Sequence, residues 1–157
     1  MKEWRRGEGN DRRMDKPHRK LDVWKVSMAL VVRIYELSNR FPFDQRYRLN
    51  EQIQRSAISI PSIIAEGAAP QTRREFANFL HMAQGSVSEL DTQLEIARRL
   101  GYCADDDWTA LDRDLERIDR MLSGLIRRQR RLSGPQHPVR RSSPPASRLP
   151  PSDPSSV

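Results

Sequence analysis

Residues 72–101 read TRREFANFLHMAQGSVSELDTQLEIARRLG, and this stretch decides the fold class. Thr72 is followed three residues later by Glu75, which is the capping-box pattern of a helix start. Apolar or small residues then recur at alternating spacings of four and three, at Phe76, Leu80, Ala83, Val87, Leu90, Leu94 and Ala97. This spacing predicts one long amphipathic helix with a buried seam, which Gly101 ends.

Three other segments show the same helical periodicity. The first helix should begin at Asp22 as its N-cap and bury two adjoining rows of residues, namely Trp24, Met28, Val31 and Tyr35 beside Leu30, Ile34 and Leu37. The second should begin near Tyr47 and bury Ile53, Ala57, Ile60 and Ile64. The fourth follows three aspartates and repeats Trp108, Leu111, Leu115, Ile118, Leu122 and Leu125. Four such helices with short connectors predict an all-α, antiparallel up-down-up-down four-helix bundle over residues 21–131.

Pro61 lies inside the second helical pattern and should kink or break the helix, since proline clashes with the carbonyl of Ala57. The neighbouring Ser59 and Ser62 are then expected to bond carbonyl groups that Pro61 leaves free. Gly67 is predicted to be the C-terminal cap of this helix. Gly85 in the third helix costs about 1 kcal/mol relative to alanine. We therefore expect another helix to approach it closely, within one subunit or across an interface.

The ends of the chain differ in composition from its middle. Hydrophobic residues make up 36% of the chain, below the usual share of roughly 45–50%. Residues 1–20 carry eight basic and four acidic side chains, and residues 127–157 carry seven and one. The net charge of +7 therefore belongs to the ends, since residues 21–126 sum to −3. We predict a disordered basic arm at 1–20 and a disordered Ser/Pro/Arg-rich tail at 132–157.

A single cysteine, Cys103, cannot form an internal disulfide, which favours a cytoplasmic location. The first residues lack the apolar region of a signal peptide, and no apolar run approaches the ~20 residues of a membrane span. His81 is the one histidine outside the ends, and no His-x-x-His or Glu-x-x-His pair accompanies it. We therefore expect a surface histidine, no metal, no cofactor and no catalytic set.

The arginines are the candidate functional residues. They cluster at the starts of the second and third helices and at the end of the fourth, namely Arg46, Arg48, Arg55, Arg73, Arg74, Arg127, Arg128, Arg130 and Arg131. One interpretation is a solvated surface with ion pairs along the helices. The other is a surface for the phosphates of RNA or DNA. Arg73 and Arg74 favour the second, because cations are unfavourable near a helix N-terminus.

The sequence also resembles a known family. Residues 57–67 read AISIPSIIAEG, and Glu75-Phe76, Ala83-Gln84-Gly85-Ser86 and Leu100-Gly101-Tyr102 follow in register, after Leu21-Asp22-Val23-Trp24 at the start. Over residues 21–122 this is similar to the four-helix-bundle proteins encoded by intervening sequences of ribosomal RNA genes. The family includes the accessory variability determinant of diversity-generating retroelements.

The resemblance implies a barrel-shaped homopentamer that contacts nucleic acid through basic surface, and an accessory role beside a reverse transcriptase. Apolar stripes broader than a single small bundle must bury also favour an oligomer. Two hypotheses remain open. The protein is a non-enzymatic, nucleic-acid-associated adaptor, or it is a protein–protein scaffold with no nucleic-acid role.

Overall fold

Four helices form a bundle in a computed structural model that describes residues 16–41, 46–69 and 72–134. They are α1 (Asp22–Ser38), α2 (Glu51–Gly67), α3 (Arg73–Arg99) and α4 (Asp105–Leu132). Consecutive helices pack against each other, and α1 also packs against α4, which closes the ring. The described ranges contain no strand. The predicted all-α four-helix bundle is confirmed, and its short connectors make successive helices antiparallel.

The core takes large aliphatic side chains from every helix. Its fully buried members include Leu30, Ile34, Ile53, Ile60, Ile64, Leu80, Leu90, Leu94, Ile118 and Leu122. The predicted seam of α3 is confirmed from Leu80 to Ala97, and Phe76 lies half-buried at its start. Heptad spacing predicted this seam correctly because α3 packs against both α2 and α4, which bury the apolar side of the helix along its length.

One of the two rows predicted to be buried on α1 is largely at the surface. Met28 is 40% exposed and Tyr35 is 39% exposed, while Trp24 and Val31 are half-buried. The buried face of α1 instead consists of Val23, Ser27, Leu30, Ile34 and Leu37. The reason is that α1 packs mainly against α2 and α4, so these two neighbours cover only part of its circumference.

The structure moves the start of the bundle towards the N-terminus. Pro17–Lys20 form a 3₁₀ turn, although the predicted disordered arm extended to residue 20. The turn packs on α1, where the ring of His18 lies 5.0 Å from that of Trp24. Leu21, rather than Asp22, is the N-cap residue, and no side chain caps this helix. The remaining parts of the predicted arm and tail, residues 1–15 and 135–157, lie outside the described residues.

Pro61 does not break α2, which continues as one helix from Glu51 to Gly67. Ser59 Oγ donates to the Ser56 carbonyl oxygen at 2.7 Å, and Ser62 Oγ donates to that of Ile58 at 2.9 Å. The prediction that these serines serve the carbonyl beside Pro61 was therefore wrong. A helical serine reaches only the carbonyls three or four residues before it, which places the Ala57 carbonyl beyond both side chains.

Gly67 allows a close approach between helices and is not the predicted C-cap, a position that Ala68 occupies. A Cβ atom built on Gly67 would lie 2.4 Å from Phe79 Cβ on α3. Gly85 has no neighbouring atom within 4 Å of such a Cβ, so the prediction of a close helix inside the subunit was wrong. Gly101 ends α3 as predicted, with a φ of 75° and a hydrogen bond from its N–H to the Arg98 carbonyl.

Candidate nucleic-acid interface

The antiparallel arrangement brings six of the nine predicted arginines to one end of the bundle. The start of α3 and the end of α4 meet there, since α3 and α4 are adjacent and run in opposite directions. We call this surface the basic end, and it consists of Arg73, Arg74, Arg127, Arg128, Arg130 and Arg131. All six side chains are exposed.

Two clefts at this end bring residues of separate helices together. The first has a volume of about 310 Å³ and extends from Pro17 past Arg73 to Gln129. The second has a volume of about 390 Å³ and is lined by Arg74, Ala77, Asn78, Arg130, Ser133 and Gly134. The second cleft therefore has one arginine from the start of α3 and one from the end of α4.

Within the described ranges, none of the six arginines of the basic end forms an ion pair with an aspartate or glutamate. Glu75 is next to Arg74 in sequence, but its carboxylate accepts hydrogen bonds from the backbone N–H and the hydroxyl of Thr72. These two bonds hold the pKa of Glu75 below its usual value. Glu75 therefore completes the predicted capping box, and the arginines beside it remain available to an external anion.

The other three predicted arginines do not join this surface. Arg55 lies near the start of α2, and Arg46 and Arg48 lie in the π-helical turn Arg46–Asn50 just before it, at the opposite end of the bundle. Arg55 pairs with Glu51 at 3.1 Å, and Arg48 is exposed. The side chain of Arg46 lies outside the described residues. The nine predicted arginines therefore divide between two surfaces, because the starts of α2 and α3 lie at opposite ends of an antiparallel bundle.

Arginines at that opposite end are paired with acidic residues. Arg40 bonds Asp107 at 3.1 Å, and Arg98 bonds Asp105 at 2.7 Å while its guanidinium lies 4.3 Å from the Trp108 ring centroid. The aspartates belong to the first turn of α4, where the helix dipole favours negative charge. Arg40 and Arg98 are therefore compensated by carboxylates, in contrast to the arginines of the basic end.

His81 adds a contact to the basic end that the sequence does not reveal. Its Nε2 atom lies 2.9 Å from a terminal nitrogen of Arg130, across 49 residues of sequence. The prediction of a surface histidine is confirmed, since His81 is exposed. Its partner could not be predicted from periodicity, because the contact depends on the register in which α4 packs against α3.

A metal centre finds no support in the described ranges, where no group of three or more His, Cys, Asp or Glu side chains could hold an ion. An acidic cleft of about 430 Å³ between α3 and α4 contains Asp91, Asp112, Glu116 and Asp119. Burial, followed by the nearby carboxylates of Asp112 and Glu95, raises the pKa of Asp91.

Cys103 is buried, and this burial raises the pKa of its thiol. No helix in the described part of the chain is long and apolar enough to cross a membrane.

The described residues form a small four-helix bundle with six exposed arginines at one end. The sequence model of the 23S rRNA-intervening sequence protein family matches residues 19–124, and the chain belongs to this family. A crystal structure of a protein with unknown function, from the S23 ribosomal protein family of Bacteroides thetaiotaomicron, is 28% identical to this chain. The two structures superpose with a TM-score of 0.61 over 66% of this chain and 97% of the other. Comparison with curated proteins gives no match.

Proposed function

We propose that this protein is a non-enzymatic nucleic-acid-binding bundle whose basic end contacts the phosphates of RNA or DNA. The observation that carries the proposal is the meeting of six exposed arginines from α3 and α4 without carboxylate partners among the described residues. Guanidinium groups suit phosphate because they offer several N–H donors in a planar, permanently charged unit. Contacts to phosphate position a protein on nucleic acid and do not read its sequence. Binding should therefore depend strongly on salt and weakly on sequence.

Family membership supports RNA as the first polyanion to test, because the family name connects its members with sequences that interrupt 23S rRNA genes. The resemblance to the accessory variability determinant supports a narrower proposal, in which the bundle presents nucleic acid to a reverse transcriptase. Such an accessory role needs no catalytic group of its own. The single thiol, Cys103, supports a cytoplasmic site of action, because one cysteine cannot form an internal disulfide.

We further propose that the bundle acts as a homo-oligomer, with a pentamer as the number that the resemblance implies. Exposed apolar side chains on α1, among them Met28, Val32 and Tyr35, support an additional interface. Gly85 also supports it, since this glycine has no close neighbour inside the subunit. An oligomer repeats the basic end once per subunit, and multivalency then strengthens individually weak phosphate contacts.

The test is binding of the full-length protein to a structured RNA and to a duplex DNA between about 50 and 200 mM salt. The logarithm of the binding constant should fall steeply with the logarithm of salt concentration, since each phosphate contact releases counterions. Replacing Arg73 and Arg74 together by glutamine should flatten this slope by about one to two. The matched control replaces Arg113 and Arg117, exposed arginines further from the basic end, and should change the slope little.

A protein–protein scaffold is the second candidate, and the exposed apolar row on α1 favours it. It predicts a defined oligomer whose assembly and partner binding do not respond to RNA or DNA. Absence of RNA and DNA binding at low salt, or binding that salt does not weaken, would exclude the first proposal and leave the scaffold.

A further inference from the structure

We propose that the cleft between Arg74 and Arg130 binds one backbone phosphate of the nucleic acid, and that His81 positions Arg130 for this contact. The inference rests on the proposed function and assigns a defined site within it. It distinguishes this cleft from the other arginines of the basic end, which would act only through their charge.

The lining of the cleft is cationic or uncharged throughout. Arg74 and Arg130 come from different helices, Asn78 contributes an amide, and the other lining residues are small, namely Ala77, Ser133 and Gly134. Two guanidinium groups beside one cleft repel each other. An anion between them is attracted to both, and these two attractions offset the repulsion. A phosphate diester fits this requirement because its two unesterified oxygens can each accept charge-assisted hydrogen bonds.

His81 meets the requirements of a positioning residue. Arginine has only donors, so the 2.9 Å contact requires that His81 Nε2 accept a hydrogen bond from Arg130. A neutral imidazole in this role fixes the guanidinium without cancelling its charge. A carboxylate at the same place would also fix Arg130 but would neutralise the cleft. Arg130 retains its other N–H donors for the phosphate, since His81 occupies one of five.

The experiment measures binding of full-length protein to a short fluorescent RNA hairpin at low salt and across a salt series. Arg74→Gln and Arg130→Gln should each weaken binding about tenfold or more, as expected for a lost charge-assisted hydrogen bond. The control Arg113→Gln removes the same charge from an exposed site on α4 and should weaken binding less than about threefold. Thermal melts should show that all three variants remain folded, because the replaced side chains are exposed.

His81 variants separate positioning from general electrostatics. His81→Ala should weaken binding by about threefold to tenfold with an unchanged salt slope, because no phosphate contact is lost. His81→Gln should restore binding, since its side-chain carbonyl can accept from Arg130. Combined with Arg130→Gln, His81→Ala should add little further loss, because His81 acts through Arg130. A salt slope lowered by His81→Ala, no restoration by glutamine, or additive losses would overturn the positioning role.

The outcomes also distinguish failure of the proposed function from failure of the phosphate site alone. If the wild-type protein binds neither the RNA hairpin nor a duplex DNA at low salt, the proposed function and the phosphate site are both wrong. If wild-type binding is steeply salt-dependent but Arg74→Gln and Arg130→Gln match Arg113→Gln, only the defined site is wrong. The supporting result is a loss concentrated at Arg74, Arg130 and His81.

Discussion

Replacing Gly67 by alanine tests whether close packing of α2 on α3 determines the geometry of the bundle. The added Cβ would lie 2.4 Å from Phe79 Cβ and 2.9 Å from Phe79 Cγ. Carbon atoms in contact prefer separations of about 3.5–4.0 Å. Both Cβ atoms are fixed to their backbones, so no change of rotamer can separate them. The two helices must instead move apart by about 1 Å or more at this point.

The cost of this movement can be estimated. Overpacking a tight contact lowers the free energy of unfolding by about 1–3 kcal/mol. Alanine regains at most about 1 kcal/mol of helix propensity, and less at the last residue of a helix. We therefore expect a net loss of about 1–2 kcal/mol and a fall in Tm of roughly 4–8 °C. Circular dichroism melts and urea unfolding of the wild-type and variant proteins measure both quantities.

Gly124→Ala is the matched control, since the nearest atom to its added Cβ is a guanidinium nitrogen of Arg127 at 4.0 Å. This variant should gain up to about 1 kcal/mol, because alanine is the better helix former and nothing must move. A Gly67→Ala protein as stable as the wild type would refute the packing argument. Equal losses in both variants would show that the loss does not arise from the contact with Phe79.

Three further predictions concern other parts of the bundle. Gly85→Ala should lower the oligomer mass in native mass spectrometry, and a stabilised protein of unchanged mass would contradict an interface at Gly85. Thr72→Ala should cost about 1 kcal/mol as a lost cap. Because Thr72 lowers the pKa of Glu75 in the folded chain, its bonds to the Glu75 carboxylate stabilise at neutral pH and weaken as pH falls through that pKa. The stability difference between wild type and variant should therefore narrow in acid urea titrations, and the part due to the bond from the Glu75 N–H to Thr72 Oγ1 should remain. Ser38→Ala should cost about 1 kcal/mol in urea unfolding, since buried Ser38 accepts a 2.8 Å hydrogen bond from Gln54; an unchanged midpoint would argue against this link between α1 and α2.

Local signals in the sequence were sufficient for the helices and for the seam of α3. The capping box at Thr72 and the three–four spacing depend only on residues within a few turns of each other. The buried face of α1 was predicted less well, because Met28 and Tyr35 continue an apolar row that its neighbours in the described structure cover only in part. Periodicity shows that a helix has an apolar side, whereas the number of packed neighbours determines how much of that side is buried.

The candidate site shows the same division between local and long-range information. The sequence identifies the cationic residues, but only the direction of each helix decides which of them meet. Arg55 and Arg73 both lie near helix starts, yet the antiparallel fold places them at opposite ends. The contact between His81 and Arg130 depends on the register in which α4 packs against α3, and no short motif encodes that relation.

Stability alone accounts for most arginines at the bundle ends, but not for Arg73 and Arg74. Arg130 and Arg131 lie in the last turn of α4, where the helix dipole favours cations, whereas Arg73 and Arg74 begin α3, where it disfavours them. Replacing these two residues by glutamine should therefore raise the free energy of unfolding by roughly 0.3–1 kcal/mol per charge at low salt. The same change should weaken RNA binding, so the two effects should have opposite signs. A less stable variant would show that these arginines stabilise the fold, and a variant that binds RNA as tightly as the wild type would show that they do not contact RNA.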